Sequence, residues 1–126
     1  MVTKGSKDMV AEAHAVIDTA SVEDAVAQHG SGDAIFIDVR ESKEWSQGHV
    51  AGAVHAPRGF LEFMADPESP MHVAELASGK KLIVYCASGG RSALASKTLQ
   101  EMGVAKVVSM AGGFNAWKGA GGPVEG

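Results

Sequence analysis

Two runs of apolar residues set the strongest limit on what this chain can fold into: Ala34-Ile35-Phe36-Ile37-Asp38-Val39 and Leu82-Ile83-Val84-Tyr85. Both are of strand length and nearly unbroken. A strand with one face in water alternates apolar and polar residues, whereas a strand covered on both faces reads as a continuous run. The two runs therefore predict buried strands of a parallel sheet. Parallel strands need crossover connections, and amphipathic segments lie between the runs, so the fold class is α/β. With 126 residues the chain has room for one such domain, 1–126, and not for two independent cores.

The flanking segments fill in the pattern. Met9 to Val16 reads as a first helix. Ser21 is placed as an N-cap ahead of Glu23 and Asp24, opening a helix with Val22, Ala25 and Val26 on one face and a stop at Gly30. Glu41 to Gln47 predicts a short helix closed by Gly48. Val50 to Ala56 predicts a turn and a brief strand that Pro57 ends. From Phe60 to Leu76, Asp66-Pro67 and Ser69-Pro70 leave two short helical pieces. Ser92 to Met102 predicts a helix with Leu94, Ala95 and Leu99 on one face and a stop at Gly103. Val104 to Met110 is a further strand, Gly112-Gly113 a turn and Phe114 to Lys118 a last helix, with Phe114 and Trp117 in the core. The glycine-rich end, 119–126, is expected to be a flexible tail.

Composition excludes several function classes. Fifteen acidic residues against eleven Lys and Arg give a net charge of -4; nucleic-acid binding calls for a clustered basic excess instead. No apolar stretch approaches the roughly 18–20 residues that cross a bilayer, and the opening from Met1 to Val10 does not read as a secretory signal. Cys86 is the single cysteine, which rules out an intrachain disulfide and a metal site of several thiolates. A cytoplasmic location is expected. His14, His29 and His72 are scattered without metal spacing, and His49 and His55 read as hydrogen-bonded structural residues. No phosphate-loop motif occurs, and neither a metal nor a cofactor is expected.

The chemistry concentrates in Leu82 to Ser92. A buried strand carries Cys86 to the carboxyl edge of the sheet, where ligands of open α/β sheets bind, and a helix is expected to begin just after Arg91. Unpaired N–H groups and the partial positive charge of a helix start favour a thiolate over a thiol. Gly89 and Gly90 let the intervening loop turn its N–H groups inward, making a cradle from Ala87, Ser88, Gly89, Gly90 and Arg91 that holds an anion beside the sulfur. Arg91 adds a positive charge at the far end, and Ser88 offers a hydroxyl. The bland alternative for Cys86 is a small apolar residue finishing a core strand.

These residues resemble the rhodanese-like sulfurtransferase domains, most closely their single-domain bacterial members, over about Ile17 to Lys118. Ile37 to Glu41 resembles the family's strand-ending Asp-x-Arg signature, and Glu44-Trp45 with Gly48-His49-Val50-Ala51-Gly52-Ala53 resembles its Gly-His segment. Cys86 to Arg91 matches the active-site loop, and Gly112-Gly113 with Trp117 matches the Gly-Gly-x-x-x-Trp segment. The resemblance implies a roughly five-stranded parallel sheet with helices on both faces. It implies a reaction in which Cys86 takes a sulfane sulfur from thiosulfate, polysulfide or a persulfide and passes it to a thiol or cyanide. It gives Asp38 and Arg40 a loop-holding role, and Glu44 is placed to pair with Arg40. It puts Arg58 near the catalytic mouth, where its charge would draw in anionic donors.

Two alternatives remain open at this stage. In one, the domain is a carrier that delivers sulfur to a partner protein without free turnover. In the other, it is a phosphatase; but phosphatases related to this fold separate cysteine and arginine by five residues, and here four, Ala87 to Gly90, lie between Cys86 and Arg91. The smaller ring suits one sulfur atom better than a tetrahedral phosphate. Ala87 and Ser88 are neutral where other members carry loop cations, which counts against thiosulfate as the physiological donor. A homodimer, or a partner protein as acceptor, is compatible with the sequence.

Overall fold

In the second apolar run, Leu82, Val84 and Cys86 pack into one hydrophobic cluster while Ile83 and Tyr85 pack into another. The period-two alternation of a strand is present, but both faces are dry, which is why the sequence shows no alternation. The computed structural model describes residues 1–126. The run forms β5 (Lys81–Tyr85), and the first run forms β2 (Ala34–Asp38) beside it in parallel register, Ala34 opposite Lys81 through Asp38 opposite Tyr85.

The remaining strands of the main sheet are β1 (Asp18–Ala20), β4 (Val54–His55) and β6 (Val107–Met110), giving the order β1-β6-β5-β2-β4 with every pair parallel. The expected five-stranded parallel sheet is therefore present, with its two most apolar strands inside. The cluster around Ile37, Val84, Leu61, Leu76 and Leu99 fills the space beneath α4 (Leu61–Ala65) and α5 (Gly90–Glu101). The opposite cluster, around Phe36, Ile83, Tyr85 and Trp117, lies beneath α2 (Val22–Gln28) and α6 (Gly113–Gly119). Ser21 caps α2 as predicted, accepting from Asp24 N at 3.1 Å. The predicted first and short helices are α1 (Ser6–His14) and α3 (Ser42–Trp45). No helix is long and apolar enough to cross a membrane.

Three features differ from the sequence reading. The edge strand β1 was not expected: Asp18-Thr19-Ala20 has no apolar run, because an edge strand of three residues buries only Ala20. α5 starts at Gly90, so Arg91 stands in the first helical turn and not at the end of the loop. The C-terminal segment does not lie free. β7 (Val124–Glu125) pairs antiparallel with β3 (His49–Val50), and the Trp117 indole N–H donates to Pro123 O at 2.9 Å. Gly122 lies flat on that indole, where a Cβ would collide with the ring. Gly122→Ala should thus overpack the site and cost about 1–3 kcal/mol, measurable as a lowered midpoint in denaturant unfolding.

Candidate active site

Cys86 follows β5 directly and is only 1 % exposed. Burial alone would make its thiol a weaker acid. Four donors oppose this: the N–H and hydroxyl of Ser92 and the N–H groups of Gly89 and Ser88. The Gly89 N–H lies 3.1 Å from Sγ. That geometry needs Gly89 at φ +128, a region closed to side-chain-bearing residues and open to glycine. Burial is outweighed, and the Cys86 pKa falls below its ordinary value. The start of the twelve-residue α5 adds its partial positive charge on the same side.

Ser92 is the group that sequence reading missed. Its fully buried hydroxyl lies 3.6 Å from Sγ, 3.1 Å from Gly89 O and 2.9 Å from the Ser109 hydroxyl. It has one proton for these contacts. Beside a thiol, the S–H donates to Ser92 Oγ and the Ser92 proton goes to Gly89 O. Beside a thiolate, the Ser92 proton turns to sulfur and Ser109 donates to Ser92. Ser109 comes from β6, opposite Val84, and nothing local in its sequence marks it. Ser92→Ala should raise the Cys86 pKa, since one charge-assisted hydrogen bond to the thiolate is lost. The pH dependence of iodoacetamide alkylation reads this directly: the midpoint moves upward in the variant.

The cradle is held from outside. Phe114 N donates to Cys86 O at 2.8 Å and Asn115 N to Ala87 O at 3.2 Å, so the start of α6 clamps the two peptides that follow β5. Ser88 is exposed at the rim, and Ala87, Gly89 and Gly90 are half-buried around it.

Arg91 and Glu44 form a bidentate pair at 2.7 and 3.0 Å. The Arg91 hydrogen bond, helped by the Glu41 N–H and the charges of Arg91 and Arg40, overcomes partial burial and holds the Glu44 carboxyl at about 2. The expected Glu44–Arg40 pair is not formed. Arg40 instead grips the fully buried Asp38 through Nε and Nη2, at 2.8 to 3.1 Å, and donates to Gly48 O at 2.8 Å. This is the loop-holding role anticipated for Asp38 and Arg40. Arg91 is thus charge-compensated by Glu44, while its guanidinium also lies within hydrogen-bonding and Coulombic reach of Cys86, so a paired cation stands beside the sulfur together with the N–H groups.

The structure does not bring Arg58 into this cradle. Its guanidinium donates to Glu62 at 3.0 Å and to Thr98 at 3.1 Å. Thr98 lies seven residues beyond Arg91, about 10 Å along the axis of α5. His49 and His55 bond the Trp45 and Arg40 carbonyls and stack on the two sides of Trp45. No group of three or more His, Cys, Asp or Glu side chains is placed to hold a metal ion.

Comparison with known proteins adds to this geometry. A family model described as Rhodanese-like domain matches residues 21–120. An Arabidopsis thaliana protein named "Thiosulfate sulfurtransferase 16, chloroplastic" is 35% identical over 94 residues, 71% of this chain and 78% of that protein. "Putative sulfur carrier protein YrkF" of Bacillus subtilis is 34% identical over 84 residues, covering 67% of this chain; the chain spans only 41% of that relative's length. A solved structure from Rhodopseudomonas palustris, described as a protein of unknown function and possible tyrosine phosphatase, superposes with a TM-score of 0.94. It is 44% identical, covering 99% of this chain and 97% of that one.

Proposed function

Because the chain belongs to the rhodanese-like domain family, we propose that it is a sulfurtransferase in which Cys86 carries the transferred atom. The Cys86 thiolate attacks the terminal sulfur of a donor such as a polysulfide, a persulfide or thiosulfate. A new S–S bond forms as the donor's own bond to that sulfur breaks, and the remainder leaves with the electron pair. A thiol or cyanide acceptor then attacks the outer sulfur of the cysteine persulfide, and the Cys86 thiolate is the leaving group. Charge and electrons balance in each half, so no cofactor is required.

The observation that carries this reading is the set of N–H groups from Ser88, Gly89 and Ser92 converging on a deeply buried sulfur. Such a ring stabilises negative charge on either one sulfur or two. Since Cys86 is buried, it suits the delivery of a single atom. With no second cysteine in the chain, the acceptor is external: a small thiol, cyanide or a cysteine of another protein. This chemistry belongs to a reducing compartment such as the cytoplasm.

The test is intact mass spectrometry after incubation with polysulfide, glutathione persulfide or thiosulfate. The expected result is a gain of one sulfur (~32 Da) on the Cys86 peptide that excess thiol removes. Absence of loading by all three donors overturns the proposal. The name of the Bacillus subtilis relative favours a second reading, in which the loaded domain delivers sulfur to a partner. Stalling after one loading, with small acceptors present, selects that reading over free turnover. The name of the Rhodopseudomonas palustris structure raises phosphate-ester hydrolysis, against which the four-residue loop argues. Turnover of p-nitrophenyl phosphate is expected to be very weak, and efficient hydrolysis by Cys86 would overturn that expectation.

A further inference from the structure

At the other end of β5 from Cys86 lies a cleft with no part in the chemistry above. Its volume is about 460 Å³, and it is bounded by the end of α4, the turn Ala74–Ala77 and the loop that follows α5. That volume falls within the range of small-molecule sites. Its wall is apolar, made by Ala65, Leu76, Met102 and Val104, with Lys80 and Lys106 at the mouth. Lys80 and Lys106 also border an adjoining polar hollow, to which Lys81 contributes a third ammonium group.

The charge at this mouth is unusual for the molecule. The chain as a whole carries -4, yet Lys80 and Lys106 both line this cleft, and Lys81 borders the adjoining hollow. The salt bridges of the protein involve Lys4, Arg40, His49, Arg58, Arg91 and Lys97, and none of these three. Against them stand two carboxylates, Asp66 at the apolar part and Asp33 at the polar hollow. At the C-terminal end of α5 the carbonyls of Thr98, Leu99 and Gln100 accept from the N–H groups of Met102, Val104 and Gly103, so the lysines face a helix end in which these three are already bonded.

We infer that this cleft binds a small amphipathic anion, its apolar body against Leu76, Met102 and Val104 and its carboxylate or phosphate head between Lys80 and Lys106. The apolar wall supplies hydrophobic burial, and the unpaired ammonium groups supply the head-group selectivity. The site touches the ends of β5 and α5 remote from Cys86, so occupying it leaves the cysteine loop uncovered.

Decanoate and decyl phosphate test the two head groups, with decanol as the neutral control, by calorimetry and by 13C-methyl NMR of methionine. The expected result is saturable binding of at least one anion below about 1 mM, about tenfold or more tighter than decanol, with the Met102 methyl signal moving. The double variant Lys80→Glu and Lys106→Glu should weaken it by about tenfold or more, and Ala77→Trp, which fills the cleft, should abolish it. Both variants should keep wild-type sulfur loading at Cys86. Failure of both anions to saturate, equal binding of decanol, or binding indifferent to the charge reversal each overturns the inference.

Discussion

Cys86→Ser should take up no sulfur from any donor and lose at least about a thousandfold in turnover. The substitution keeps the size and the hydrogen-bonding surroundings but removes the chemistry. A serine hydroxyl stays protonated at neutral pH and is a poor nucleophile toward sulfur, so it does not take the sulfane sulfur from the donor. The fold should survive, since Ser92 and Gly89 already supply polar partners at that position. Circular dichroism and unfolding curves close to wild type, together with absent loading by mass spectrometry, separate lost chemistry from lost structure. A variant that still gained sulfur would move the nucleophile elsewhere, and the chain offers no other thiol.

Gly113→Ala is the second large effect, and it acts through structure. Gly113 has φ +57, and a Cβ there would lie 2.5 Å from Cys86 O and 2.6 Å from the carbonyl carbon of Ala87. Those are backbone atoms of the cradle, so no flexible side chain can move aside. Relief requires shifting either α6 or the peptides after Cys86. The cost should be about 3 kcal/mol or more, combining left-handed strain with a backbone clash. Because the displaced peptides belong to the loop, the thiol pKa should rise and sulfur loading should slow even below the melting temperature. Urea unfolding measures the first effect and the alkylation pH profile the second. A variant with normal stability but altered alkylation would mean that the loop yields and the helix does not.

How much of this was legible in the sequence follows from which interactions are local. The strands β2 and β5 announced themselves because burial on both faces leaves an unbroken apolar run. The capped helix after Ser21 was readable because the cap is three residues from its partner. The strand, cysteine and glycine order of 82–90 pointed to the candidate site because β5, loop and α5 are consecutive. β1 and β7 escaped because two- or three-residue edge strands bury little and take their partners from distant parts of the chain. Glu44 was paired with the wrong arginine for the same reason: Arg40 is near in sequence, but Asp38 holds it, and Arg91, 47 residues on, reaches Glu44 only in the folded chain. Ser109 had no sequence signal. It matters only because β6 runs next to β5.

The carbonyl oxygens around the cysteine have a consequence for speed. Those of Cys86 and Ala87 are engaged by Phe114 and Asn115, and Gly89 O accepts from Ala93 N at 3.2 Å. The Ala87–Ser88 peptide, whose N–H faces the sulfur, is thereby pinned oxygen-outward, as are the Cys86–Ala87 and Gly89–Gly90 peptides beside it, and these three cannot invert to present a negative end to the sulfur. An incoming charge meets dipoles already aligned, and a departing one leaves them unrelaxed. In the sulfur transfer proposed above, these three peptides would need no rewiring between half-reactions.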